Sequence, residues 1–450
     1  MSSGFFIHNA TIINEGRRFK GCLKVKDQLI EKIYEGPMDT HESVKNYTVI
    51  DANGKWLIPG FIDDQVHFRE PGLTHKGDLY SEPKAAVAGG ITSFMEMPNT
   101  VPAAISQQLL ADKYVIAAEK SLANYSFYIG ISNDNLDQLV KTDPATVCGA
   151  KIFMGSSTGN LVVDNPESLE NIFREVKLLI ASHCEDDPLI KQNLKHLQEK
   201  YGDNIPVEMH PMIRNAEACY RSSSRAIELA EKHGTRFHIL HISTARETEL
   251  FRNDIPLKEK KVTAEACVHH LWFTDADYAT KGNFIKWNPA IKSIHDRDAI
   301  RQALIDGRID VLATDHAPHT IEEKSGSYLT APSGGPLVQH AMSALFEMAF
   351  QGIFTPEFIV SRYAHQVADL FSIDRRGYLR EGYFADLVLV NPDNPRTISE
   401  DSILSKCGWS PFTGTTFQAQ VEKTFVNGNL VYDNGVFDES SRGMRLMFNR

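Results

Sequence analysis

The sequence predicts an α/β protein: a (β/α)8 TIM-type barrel with a small β-sandwich domain built from both termini. Three observations predict it. Short alternating strands fill the first 57 residues and return after residue 378. Between them, eight compact apolar segments alternate with helical stretches. Each of the eight places its polar, chemically capable residues after the apolar run, as a parallel barrel with a site at its strand ends requires.

Taken in order, FFIHNATII, CLKVKD, QLIEKIY and YTVIDA read as strands separated by Gly, Asn and Asp, without a helical period. The eight central strands are GFIDDQVHF, ITSFMEMPN, NYSFYIGIS, GAKIFMG, LLIASHCED, RFHILHIST, VTAEACVHHLWF and VLATDHAPH. SEPKAAVAGG, LLADKYVIAAEK and RSSSRAIELAEKHG supply helices between them. Near the end, ADLVLVNP is a compact strand, and Asn427-Gly428 in TFVNGNLVYDNG signals a type I′ hairpin. The expected division is a composite β domain over 1–57 plus 378–450 and a barrel over 58–377. At 450 residues the chain accommodates a barrel of ~250 residues with an accessory domain.

Composition removes several function classes. Lys plus Arg total 47 against 58 Asp plus Glu, and the net charge of −11 argues against nucleic-acid or anionic-membrane partners. The six cysteines contain no CxxC pair, so reduced, buried thiols are expected rather than a zinc ribbon or disulfide framework. No run of 18 apolar residues occurs and the start lacks a basic leader, which makes a cytoplasmic location the default. No Gly-rich phosphate loop is present, so no cofactor beyond metal is implied.

His67, Lys151, His183, His241 and Asp315 follow the first, fourth, fifth, sixth and eighth central strands, which surround one barrel mouth. Imidazole and carboxylate suit zinc and similar divalent ions, and an open coordination position activates water. Any one of these histidines alone reads more simply as a hydrogen-bonded structural residue; the joint pattern favours a metal site. Lys151 lies within an apolar strand, where an ammonium is costly to bury. A neutral amine there can take up carbon dioxide to form an anionic two-oxygen ligand, although a Lys that snorkels out of the strand end fits the same residue. Arg69 lies two residues beyond His67, and strand alternation would put both on one face. Its planar fork suits a carboxylate, with a structural pair to Glu70 as the alternative.

The run PGFIDDQVHFREPGLTHKGD resembles the signature of the dihydroorotases within the amidohydrolase superfamily, cyclic amidohydrolase branch. MPNT, HISTA, KWNPA and ATDHAPH resemble further blocks in the same order, so the resemblance covers essentially the whole chain. It implies ligation of one or two zinc ions by His67, carbamylated Lys151, His183, His241 and Asp315. It also implies substrate contacts from Arg69, Asn99, Asn288 and His319, with a loop around Ser333 and Gly334 closing the site. The implied activity is reversible hydrolysis of the cyclic amide of (S)-dihydroorotate to N-carbamoyl-L-aspartate in pyrimidine (UMP) biosynthesis. Asp315 would accept the proton of the attacking water and return it to the leaving nitrogen. Relatives are often homodimers, which extends a homodimer to this chain by analogy.

The chain departs from the family pattern in three places. Gln65 stands where the first His of HxH is usual, and an amide is a far poorer zinc ligand, so Gln65 is a doubtful member of the ligand set. Lys292 stands where many relatives carry Arg, and the loop APSGGPLVQH lacks an expected acid. His269 and His270 border the mouth as packing residues, and ETELFRNDIPLKEKK reads as a solvated surface. Two alternatives to dihydroorotase are therefore carried: a related hydrolase of hydantoins, dihydropyrimidines or allantoin, and an inactive homologue serving as a structural subunit.

Overall fold

A computed structural model describes residues 4–36, 44, 46–154, 161–163 and 165–450. The N-terminal strands are β1 (Gly4–Asn14), β2 (Arg17–Lys26), β3 (Leu29–Glu35), β4 (Tyr47–Asp51) and β5 (Trp56–Pro59). The barrel strands follow as β6 (Phe61–Val66), β7 (Ile91–Glu96), β8 (Asn124–Phe127), β9 (Ile129–Gly130) and β10 (Ala150–Met154). β11 (Ile180–Cys184), β12 (Phe237–Ile239), β13 (Val262–Cys267) and β14 (Val311–Ala313) complete it. After these come β15 (Leu387–Asn391), the ribbon β16 (Arg396–Thr397) with β17 (Thr416–Phe417), then β18 (Gln420–Val426), β19 (Asn429–Asp433) and β20 (Val436–Phe437).

Every recorded pair among β6 to β14 is parallel. The third expected strand is broken at Tyr128, with β8 pairing back to β7 and β9 pairing on to β10. The ring closes where Val66 bridges His316 and the His67 amide donates to the His316 carbonyl at 2.7 Å. The fourth strand ends at Met154; Gly155, at the end of the expected GAKIFMG, lies outside the described residues. Helices pack outside, with ends where the residue types dictate. Asn215 caps Ala216–His233 by accepting from the Ala218 amide, and Gly234 ends it at φ 67°.

The strands from both termini form one nine-stranded sheet in the order β20-β19-β18-β15-β5-β1-β2-β3, with β4 also on β1. Register shifts in β1, β2, β15 and β18 bend these strands around an apolar core that includes Ile7, Leu23, Leu57, Leu387 and Phe425. The result is the small sandwich. Asn427 and Gly428 both have positive φ, 49° and 76°, as the type I′ hairpin demands. All six cysteines are free and buried. Among the described residues no helix is long and apolar enough to cross a membrane.

Sandwich and barrel are joined by a buried polar knot. Asp386 accepts from Asn124 of β8, from the Asn427 amide in the hairpin and from Arg376, and the Arg376 and Asp386 side chains are 3% and 4% exposed. Arg376→Met strands the carboxylate without its cation. The variant is expected to lose about 3–5 kcal/mol of stability, read as a lower midpoint in urea unfolding.

Candidate active site

The C-terminal ends of the barrel strands open on a cavity of about 300 Å³. All twelve expected residues line it: Gln65, His67, Arg69, Asn99, Lys151, His183, His241, Asn288, Asp315, His319, Ser333 and Gly334. β6 ends at Val66, so strand alternation does not orient Arg69. Arg69 instead turns left-handed at φ 73°, as do His241 at 42° and Asp315 at 50°. A non-glycine residue in this region costs about 1 kcal/mol or more and is held by its surroundings. Here the turn aims three side chains into one mouth.

The imidazoles are set up as neutral donors. Burial, first among the causes, pushes His67 and His241 well below the usual histidine range and also lowers His183. The His67 Nδ1–H donates to Asn99 Oδ1 at 2.8 Å, which leaves its Nε2 facing Asp315 Oδ1 at 3.3 Å. The His183 Nε2–H donates to Glu185 at 2.9 Å, and Glu185 is held by Arg214. His183 Nδ1 is thereby left 3.0 Å from His241 Nε2. Donors ~2.0–2.1 Å from a tetrahedral ion stand ~3.3 Å apart, so both pairs fit a shared divalent ion, with the second carboxylate orienting its histidine as ligating histidines require. Lys151 is 1% exposed, its Nζ donating to the Ile152 carbonyl at 3.0 Å, and burial lowers its pKa to about 7. A substantial fraction is then a neutral amine near neutral pH. Burial also pushes the Asp315 carboxyl up to about 7, which suits a group that exchanges a proton.

Gln65 enters this network through hydrogen bonds. Its Nε2 donates to Asp315 Oδ1 at 3.1 Å, and its Oε1 faces Cys267 Sγ at 3.6 Å. Lys292 lies away from the cavity lining, donating to Ser243 Oγ at 3.0 Å and the Ala290 carbonyl at 3.1 Å. His269 stacks on Trp287 with centroids 4.6 Å apart, and His270 bonds the Pro289 carbonyl, so both are packing residues.

Arg69 is buried, its pKa lowered by desolvation to about 10, which still leaves it charged at neutral pH. Glu70 pairs with Lys120 instead. The Arg69 guanidinium donates to the Pro318 carbonyl at 3.2 Å and to His319 Nε2 at 3.1 Å. His319 Nδ1 lies 3.1 Å from Lys76 Nζ and 3.3 Å from Glu323, and Lys76 and Glu323 pair with each other at 3.0 Å. Asn288 Oδ1 and Trp287 Nε1 line the same space without a hydrogen-bond partner among the described residues, an acceptor and a donor available to a ring amide. Lys76 and Trp287 were missed as individual residues, although THKGD and KWNPA carry them.

Two buried lysines hold the loop of Ser333 and Gly334. Lys324 Nζ donates to the carbonyls of Lys286, Pro332 and Gly334, and Lys286 Nζ to those of Tyr328 and Ala331. Lys324→Met removes three donors at once. Substrate affinity is expected to fall about tenfold with a smaller change in turnover, measured as KM against kcat.

Residues 56–431 match the amidohydrolase family. The chain is 33% identical to a dihydroorotase of Halobacterium salinarum over 85% of its own length and 88% of that protein. It is 31% identical to a dihydroorotase of Lactobacillus johnsonii, covering 95% of this chain and 99% of the other. Among solved structures it is similar to L-hydantoinase (dihydropyrimidinase) from Arthrobacter aurescens, with a TM-score of 0.90, 24% identity and 97% of each chain covered. A D-hydantoinase (dihydropyrimidinase) from Thermus sp. gives a TM-score of 0.86 at 22% identity, with 96% of each covered. These two likenesses concern the fold.

Proposed function

The chain belongs to the amidohydrolase family and hydrolyses cyclic amides, and from that premise we propose that its substrate is (S)-dihydroorotate, opened reversibly to N-carbamoyl-L-aspartate in pyrimidine biosynthesis. The observation that carries this reading is Arg69. It is a buried cation lining the cavity, supported by neutral partners, His319 and the Pro318 carbonyl. Such a fork matches a ring carboxylate, which hydantoins, dihydropyrimidines and allantoin lack.

In this reading Arg69 and His319 hold the substrate carboxylate, and Asn288 and Trp287 meet the ring amide groups. His67, Lys151, His183, His241 and Asp315 would hold one or two zinc ions, which when bound supply a Lewis acid for the ring carbonyl and for water. Lys151 would ligate as a carbamate, which its neutral-amine fraction permits. Asp315 takes a proton from the attacking water and delivers it to the ring nitrogen as the amide opens. Gln65 fixes the orientation of that carboxylate through its amide N–H. Ring closure uses the same groups in reverse. The loop of Ser333 and Gly334 covers the bound ring and excludes bulk water.

The test is ring opening by the purified chain, followed as loss of ultraviolet absorbance, in metal-stripped and zinc-reconstituted protein. Turnover of dihydroorotate that vanishes on stripping and returns with zinc supports the reading. Turnover of hydantoin or dihydrouracil alone would replace it with the uncharged cyclic amides. Absence of all turnover in zinc-replete protein would leave the structural-subunit role.

A further inference from the structure

We propose that the barrel interior below the mouth holds a further divalent cation between Asp64, His238 and Glu265. These three come from β6, β12 and β13, and each is fully buried. One ligand atom from each lies within 4.8 Å of the others. None of the three belongs to the ligand set at the mouth.

Four features point to an ion. His238 Nδ1 is 2.8 Å from Thr263 Oγ1, and the Thr263 hydroxyl is directed at the Phe237 carbonyl, so Nδ1 carries the hydrogen. Nε2 is therefore the ring atom that faces Asp64 Oδ2 and Glu265 Oε2, at 3.4 Å from each. A direct charge-assisted pair would close to ~2.7–2.9 Å, whereas donors around a tetrahedral ion stand ~3.3 Å apart. The observed spacing is the second of these. Finally, both oxygens of Asp64 lack any hydrogen-bond partner among the described residues, which leaves a dry carboxylate compensated only across 3.4 Å by His238.

Glu265 is already oriented for the role, because its Oε1 accepts from the His241 amide at 3.0 Å. Two carboxylates and one imidazole, which gives up its Nε2 proton as the ion binds, suit Zn2+ or Mn2+ and offset the double positive charge. Cys267 Sγ stands 3.5 Å from Glu265 and 3.6 Å from Gln65, so the cluster lies one side chain below the residue that replaces the usual first histidine. The ion would tie together β6 and β12, the strands that lead into His67 and His241.

The inference does not depend on the substrate, and its test separates the two sites. The full chain is loaded with zinc, passed through metal-free buffer and analysed for metal content. His183→Ala with His241→Ala should retain one equivalent, and Asp64→Asn added to that pair should remove it. Anomalous scattering at the zinc edge from crystals of the native chain gives a second readout that needs no variant to fold. It should show a peak between Asp64, His238 and Glu265. Equal metal content with and without Asp64→Asn, or an anomalous peak at the mouth alone, would overturn the proposal and leave an imidazolium bridging two carboxylates.

Discussion

Asp315→Asn is expected to lower turnover of dihydroorotate by about 10³-fold or more in both directions, because proton transfer by a placed side chain contributes ~10²–10⁴ and this residue also belongs to the proposed ligand set. Asn keeps the volume and an oxygen that accepts from Gln65, but it cannot take up a proton. The native carboxyl is pushed up to about 7 by burial, opposed by the fields of His183, Arg69 and Lys151. Ring opening needs the carboxylate and falls as pH drops through its pKa, while ring closure needs the protonated acid and falls as pH rises through it. Steady-state rates against pH in each direction measure this. An Asn variant with a tenth of native turnover, or limbs on the same side in both directions, would remove Asp315 from the proton path.

Gln65→His provides a contrast at the neighbouring position. The amide N–H that holds Asp315 Oδ1 at 3.1 Å is exchanged for an imidazole of higher metal affinity. Zinc content should rise by up to one equivalent over that of the native chain, measured by metal analysis of the reconstituted protein. An unchanged content would mean that position 65 does not limit metal binding.

The mouth was legible in the sequence because a parallel barrel imposes one rule on eight separate segments: whatever polar residue follows an apolar strand faces the same opening. His67, Lys151, His183, His241 and Asp315 could be assembled by that rule without knowing any distance. The hairpin at Asn427-Gly428 was legible because only a few residue types tolerate two successive positive φ angles. What escaped depends on contacts between remote segments. The break at Tyr128 is a change of pairing partner, invisible in an unbroken apolar run. Lys260 and Glu247 sit in a stretch that reads as solvated surface. In the fold Lys260 pairs with Asp310 in a buried contact, and Glu247 accepts from Ser223 and Thr244. A charged residue on a short connecting segment looks alike whether water or a buried acid meets it. Glu185 and Glu265 were missed for a related reason, since a carboxylate that orients a histidine is recognised by the histidine it faces, not by its own spacing.

The substrate assignment stands or falls with Arg69→Met. Methionine is tolerated sterically about as well as arginine at a position of φ 73°, so the change tests the charge rather than the backbone. If the guanidinium meets the ring carboxylate, its loss leaves that anion desolvated and unpaired, at a cost of about 3–4 kcal/mol. KM for dihydroorotate should then rise by ~10²- to 10³-fold. Arg69→Lys should fall between native and Met, because an ammonium restores charge without the planar fork that also bonds His319. Uncharged rings supply the control. Any slow turnover of hydantoin or dihydrouracil should be unchanged or improved by Met, since the site no longer presents a buried cation to a ring that has no carboxylate to meet it. A Met variant that loses both kinds of substrate equally would make Arg69 a structural support of the loop at Pro318 and His319, and the carboxylate would then have to be sought at Lys76, the other cation lining the cavity near His319.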